Sequence, residues 1–421
     1  MVDNIYDLLD MQKDKNIPIQ SRKNCVTVLG RDPALAGKIK FNTLSNRKNV
    51  EGALPWNKSE ALREWTNIDS EYLIYYMETY YLLNSDKKIL SALEIIADTN
   101  KFNPFIDMLN SVSWAGVPRI KNLLTDYLGV EKNDYSIHCM ELLMLAVISR
   151  AFDPGTKFDY VLVLSGRQGI GKSSFFMKLC CNDDWYLENL KTIDKGKDAA
   201  ELIQGKIIVE FNELLAVKSA IEGVKSFVTL KSDEYRGAYA REKEKRYRTC
   251  VFVGTTNDTQ FLVDETGNRR FLPLRCGVMP ITRSLFIDND VLSHEFKQAW
   301  AEAYKIYLSG KFSLVMPERL QGYVEELQED FKEDDPLVGM IQYWLDTHNH
   351  EYVCNKQIAA EVLNVDNPDR RLLNQITKIM NNSIEGWKRS GTHRFPVLGK
   401  QKCYVKTQEF TEVYPGEVPF T

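Results

Sequence analysis

The 421-residue chain has no C-x2-C pair and only five histidines. Zinc sites draw on closely spaced sets of those residues, so a structural zinc site is not expected. The eight cysteines are scattered, and the expectation is that they are reduced thiols. No run of 18 apolar residues occurs, so no membrane span is expected. The start, MVDNIYDLLDMQKDK, is acidic and mixed and lacks the apolar stretch of a secretory leader, which points to a cytoplasmic protein. No excess of positive charge is present. With a net charge of −4, any contact with nucleic acid has to come from a local cluster. What remains, 44% hydrophobic and 27% charged, fits an ordinary globular chain and excludes fibrous or wholly disordered classes. Its length allows two or three domains.

The first 60 residues form a small, poorly periodic segment, in which KNCVTVLG and KIKFNTLSNR read as short strands. Helical periodicity sets in with DSEYLIYYMETYYLL and holds through SIHCMELLMLAVISRAF, giving a helical domain over 65–152. The character then changes. FDYVLVLSG, KIIVEFNE and TCVFVGTTN are buried-type strand runs separated by helical stretches, which predicts an α/β core with a mainly parallel sheet over 153–315. Residues 316–345 read as a helical linker, with a charge run ending at Pro336. The last domain, 346–421, has helical stretches followed by strand-like ends.

GRQGIGKS, residues 166–173, fits G-x-x-x-x-G-K-[ST] between a strand and an apolar helix, the context that motif requires. Small residues let backbone N–H groups curl round phosphates, and the helix start adds positive potential. The candidate ATP-binding set is Gly166, Gly169, Ile170, Gly171, Lys172, Ser173 and Ser174. Lys172 would meet the β/γ oxygens and Ser173 would meet Mg2+. The second strand carries Glu210 and, at its end, Glu213. One acid is needed near the metal and one group to orient water. Glu210 suits the metal and Glu213 the water, though alternation along the strand leaves the division open. Asn257 ends the third strand, where open α/β sheets bind ligands. Beyond it, DETGN leads to Arg269 and Arg270. An arginine so placed can neutralise transition-state charge in a neighbouring subunit.

FDYVLVLSGRQGIGKSS, GKIIVEFNEL, KSFVTLKSDEYRGAYAREKEKRYRTCVFVGTTN and DETGNRRFLPL together closely resemble the virulence-associated protein E family. That family looks like a mobile-element branch of the superfamily 3 helicases, which are AAA+-like ring ATPases. The resemblance runs from about 95 to 310. It implies an AAA+-like P-loop ATPase core, ATP and Mg2+ as ligands, a homo-hexameric ring and single-stranded DNA as partner. It implies catalytic roles for Lys172, Glu210, Glu213, Asn257, Arg269 and Arg270, one of the two arginines being the finger that acts across the subunit boundary. In VEFNE, Asn212 stands between the two acids, a departure from the family's pattern that bears on the metal ligand.

Residues 225–248 interleave cations with tyrosines, a composition suited to single strands, whose phosphates take charge and whose bases stack. In ring helicases this position resembles the hairpin that enters the central channel. The candidate DNA contacts are Lys225, Lys231, Arg236, Arg241, Lys243, Lys245 and Arg248. Three glutamates and Asp233 dilute the cluster, which reads alternatively as a solvated loop. The C-terminal stretch resembles a winged helix, with Arg370, Arg371, Lys378, Lys388, Arg389 and Arg394 as a basic set. The first 60 residues lack the paired aspartates of a polymerising primase, so priming is expected from a separate protein.

The leading expectation is an ATP-driven replicative helicase of a phage or other mobile element. An initiator, loader or DNA sensor with little unwinding keeps the same fold. A P-loop kinase is disfavoured by the basic insert and the paired arginines, and a non-enzymatic DNA scaffold by the complete phosphate motif.

Overall fold

The computed structural model describes residues 5–13, 15–190, 193, 196–212, 221–235, 244–258, 261–262, 268–331 and 336–407. The chain forms two units, Met1–Lys332 and Glu333–Thr421.

The first unit begins with β1 (Met11–Gln12), β2 (Lys15–Pro18), α1 (Arg22–Arg31), β3 (Ile39–Asn42) and β4 (Arg47–Val50). It continues with β5 (Arg63–Glu64), α2 (Asn67–Tyr81), α3 (Asp86–Thr99) and β6 (Lys101–Phe102). These share one core, in which Val28, Leu29, Ile39, Leu73, Met77 and Leu93 are buried. The segment KNCVTVLG is α1, contrary to the strand reading of its β-branched residues. Ser21 caps it, accepting from Asn24 N at 3.1 Å, and Cys25, Val28 and Leu29 recur at helical spacing on its buried face. The cap and the 3.6-residue period outweigh β propensity here.

Next come α4 (Pro104–Ser111), α5 (Ile120–Leu128), α6 (Asp134–Phe152), β7 (Val161–Ser165), α7 (Lys172–Leu179), β8 (Tyr186–Leu187) and α8 (Gly196–Leu202). They are followed by β9 (Ile208–Phe211), α9 (Ile221–Val228), β10 (Ser232–Tyr235), β11 (Glu244–Tyr247), β12 (Val251–Thr256), β13 (Phe271–Arg275), α10 (Asn289–Leu308) and α11 (Glu318–Asp330). Five strands make a parallel sheet in the order β13-β7-β12-β9-β8. Alternate residues of β7 face opposite cores. Leu162 and Leu164 pack with helices that include α5, α6 and α10. Val161 and Val163 pack with Val209, Phe211, Phe252 and Phe271. Burial on both faces explains why these strands read as continuous apolar runs.

The helical region expected as one domain is thus divided. Helices α2 and α3 belong to the N-terminal core, whereas α4 to α6 cover the parallel sheet. Helix α6 is long and apolar enough to cross a membrane, and most of it is buried in this core. The expected linker is divided too, since Leu320 and Val324 of α11 lie in the sheet's core.

The second unit contains α12 (Pro336–Thr347), β14 (Tyr352–Val353), α13 (Asn355–Glu361), α14 (Arg370–Asn382), β15 (Trp387–Phe395) and β16 (Gly399–Lys406). Its sheet has the order β14-β16-β15. Ile341, Ile358, Ile376 and Trp387 share its core.

Candidate functional site

Strand β7 is buried and paired on both sides, so it holds the start of the Gly-rich loop at a fixed edge of the sheet. Gly171 caps α7 at φ +97° and offers no side-chain oxygen to the first turn. The first N–H groups of α7 are left to an outside acceptor, and anions bind at such ends. A Cβ at Gly171 would stand 3.0 Å from Leu285 Cδ1, so both conformation and space favour glycine there.

Lys172 folds back over this loop. Its Nζ donates to Gly166 O at 2.6 Å, Arg167 O at 3.1 Å and Asn257 Oδ1 at 2.9 Å. Burial lowers its pKa from the ordinary lysine value, while the nearby Cys276 and Glu210 oppose that shift. Asn257 reaches it from the end of β12, which lies next to β7.

Glu210 comes from β9, one strand further out, and is fully buried. Its Oε1 accepts from Ser173 Oγ at 2.7 Å and from Thr255 Oγ1, and its Oε2 accepts from Tyr186 OH. Burial, and then the Glu210 carboxylate, push the Tyr186 phenol far above its ordinary pKa, so it stays a donor. Tyr186 and Thr255 are absent from the sequence-derived site. Thr255 lies within the GTTN run that flags Asn257, but Tyr186 sits on a two-residue edge strand with no local signal.

Ser173 and Glu210 put two hard oxygen donors 2.7 Å apart beside the loop. That donor set fits Mg2+, which retains waters and takes further oxygens from a bound phosphate. Among the described residues no group of three or more His, Cys, Asp and Glu side chains could hold a metal, so an all-protein cage is not built here. Glu213 lies outside the described residues.

Arg269 and Arg270 stand elsewhere. They end a short 3-10 turn ahead of β13, which pairs with β7 from Phe271↔Val161 to Arg275↔Ser165. The arginines precede the first pair and the Gly-rich loop comes after the last. Five residues at ~3.3 Å each put them roughly 17 Å apart along the sheet, beyond an arginine's reach. Buried Gln328 of α11 fixes the turn, its Nε2 donating to Asn268 O at 2.9 Å and Phe271 O at 2.7 Å.

The candidate DNA contacts separate into distinct environments. β10 and β11 form an antiparallel hairpin, with Lys245 exposed 5.3 Å from the Tyr247 ring centre. Lys231 is exposed beside its base. Arg248 is corrected: it is buried, donates from Nε and the other guanidinium nitrogens to Asp233 and Phe227 O, and stacks 4.1 Å from the Phe227 ring centre. It anchors the hairpin and is not open to a strand of DNA. Lys225 is buried on α9, paired with Glu222 at 2.7 Å, and lines a cavity with Arg269 and Arg270. Arg236, Arg241 and Lys243 lie outside the described residues.

Among known proteins, the virulence-associated protein E-like domain matches residues 109–333. No curated protein matches the chain. A solved structure described as the apo structure of NrS-1 C terminal region (305–718) is similar at 13% identity and a TM-score of 0.47, covering 88% of this chain and 96% of that one. A second, the A form of the same region, is similar at 13% identity and a TM-score of 0.46 with the same coverage. The matched domain spans more than half of the sequence, and the chain belongs to the virulence-associated protein E-like domain family.

Proposed function

We propose that this chain is an ATPase of the superfamily 3-like, AAA+-type helicases, working as a homo-hexameric ring on DNA during replication of a phage or other mobile element. The observation that carries the reading is the meeting of Lys172, Asn257, Ser173 and Glu210 at one edge of the sheet. The strand order supports it as well: the loop-bearing strand lies inside the sheet, with the asparagine and the acid on one side and the arginine-bearing strand at the edge on the other.

In this mechanism Lys172 leaves its backbone carbonyls for the β/γ oxygens of ATP, and the first N–H groups of α7 hold the remaining phosphate oxygens. Ser173 and Glu210 would hold Mg2+, which supplies charge neutralisation across the phosphates. Asn257 orients the attacking water, with Glu213 as the candidate base. Arg269 or Arg270 completes a neighbour's site. Lys231 and Lys245 would meet single-stranded DNA phosphates near the hairpin. In the second unit, α13 and α14 followed by the β15–β16 hairpin support a winged-helix reading. Priming would come from a separate protein.

An initiator, loader or DNA sensor with little unwinding is the second reading. The burial of Arg248 favours it, because that cation at the base of the hairpin is held by Asp233 and withdrawn from DNA. Steady-state hydrolysis and forked-DNA displacement test both. Lys172→Ala should lower turnover roughly 10²–10³-fold, the scale of losing one transition-state donor. Turnover like that of the unmodified chain would overturn the assignment of this site. Hydrolysis without strand displacement would select the second reading.

A further inference from the structure

Residues 276–288 join β13 to α10 and run beside the Gly-rich loop. Backbone bonds tie them to the end of α5: Gly277 N donates to Leu128 O and Met279 N to Gly129 O, both at 2.8 Å. Thr282 N and Arg283 N each donate to Asp126 O at 3.0 Å. Leu285 is buried against the loop. The outward side chains are nevertheless apolar. Phe286 is 77% exposed and Ile287 44%, with Val291 58% exposed on the first turn of α10. An aromatic held out on a pinned backbone is the composition of a contact surface.

At the other end of the same strands lies a cavity of about 550 Å³. Phe158, Tyr160, Leu314, Val315 and Val324 give it apolar walls, and Lys157, Arg269 and Arg270 line it too. The apolar segment comes after the last β13–β7 pair, whereas the cavity is lined by residues ahead of the first pair and by Leu272 of the second, so one copy cannot fill its own cavity. A head-to-tail contact between copies can.

We propose that Phe286 and Ile287 of one copy dock in the cavity beside Arg269 and Arg270 of the next. The inference rests on the ring reading. Wherever either arginine reaches a neighbour's Gly-rich loop, the segment lining that loop arrives at the cavity lining those arginines. Charge agrees with the pairing. With Lys157 paired to Asp159 at 3.7 Å, Arg269 and Arg270 outnumber Glu325 around the cavity, and the segment's apolar tip is followed by Asp288 and Asp290. Arg283, the cation within the segment, is already engaged by Asp126 at 3.5 Å and by Glu295.

The test uses the full chain carrying Phe286→Cys, Val315→Cys or both, assembled on DNA with a slowly hydrolysed ATP analogue. A short bis-maleimide is added and the products are separated under denaturing conditions, while mass measurement follows assembly. Seven of the native cysteines are buried and Cys181 is partly so, and the single variants report their background. The double variant should give a ladder up to the full ring. An equal mixture of the two single variants should stop at dimers, because each link needs one thiol from each copy. Val315→Glu should bind nucleotide like the unmodified chain yet assemble roughly 30-fold or more weakly, the scale of losing an interface hot spot. Rings that form without a ladder and tolerate Val315→Glu would overturn the docking and leave the ring reading standing. Absence of rings from the unmodified chain would overturn both.

Discussion

Asp69 sits at the third position of α2, buried, where its carboxylate gathers an unusual number of donors. Arg63 binds it in a fork at 2.8 Å twice, Thr66 supplies its N–H and hydroxyl at 2.8 Å each, and Trp56 Nε1 adds a bond at 3.0 Å. Burial on its own would raise the carboxyl's pKa, but the Arg63 fork and the Thr66 and Trp56 donors hold it well below the usual carboxylate range. A depressed folded-state pKa means stability that is present above the unfolded value near pH 4 and lost as pH falls through the folded one. Asp69→Asn should therefore destabilise the protein by about 2–3 kcal/mol at pH 7, chiefly by leaving Arg63 without its counter-charge. Urea unfolding at pH 7 and pH 3 checks this. The gap between variant and unmodified chain should narrow at the lower pH, and an equal gap at both would show that charge is not the cause.

At the scale of elements, α11 acts on the arginine-bearing turn through one side chain. Gln328 spans the carbonyls of Asn268 and Phe271, so it sets where Arg269 and Arg270 leave the sheet. Gln328→Leu removes this donor from two backbone carbonyls and should cost about 1–3 kcal/mol. ATP binding should persist while hydrolysis by assembled protein slows, and Gln328→Glu, which cannot donate, should not restore it. Hydrolysis unchanged in a destabilised Gln328→Leu variant would reduce the residue to a structural role. Sequence could not show this contact, because Gln328 lies 60 residues beyond Asn268 and looks like one more polar position on an amphipathic helix. By contrast β7, β9 and β12 are legible, since burial on both faces forces unbroken apolar runs and the Gly-rich motif marks the turn from β7 into α7. Arg248 is misread for a related reason. Composition records a cation without recording that Asp233, paired across the hairpin with Arg246, turns toward the guanidinium beside it. The division of the helices between two cores is hidden too, as periodicity identifies a buried face but not what covers it.

For the molecule as a whole, the separation of the arginines from the loop turns the proposed chemistry into a statement about assembly. A lysine-deficient copy, Lys172→Ala, keeps its arginines, and a copy with both Arg269→Ala and Arg270→Ala keeps its loop, so each should be inactive alone for a different reason. In a random equal mixture, about a quarter of head-to-tail junctions join an intact loop to an intact neighbouring arginine turn. Those junctions should hydrolyse ATP, so the mixture should exceed either parent on DNA. Exchange of subunits is established first by mass measurement of the mixed rings. Separate Arg269→Ala and Arg270→Ala copies then identify the finger: the one whose loss abolishes hydrolysis without weakening nucleotide binding. Mixed rings with no more activity than their parents would put the arginines back among residues that only shape the turn. Activity rescued in strictly monomeric protein would require the roughly 17 Å between turn and loop to close within one chain, against the parallel pairing of β13 with β7.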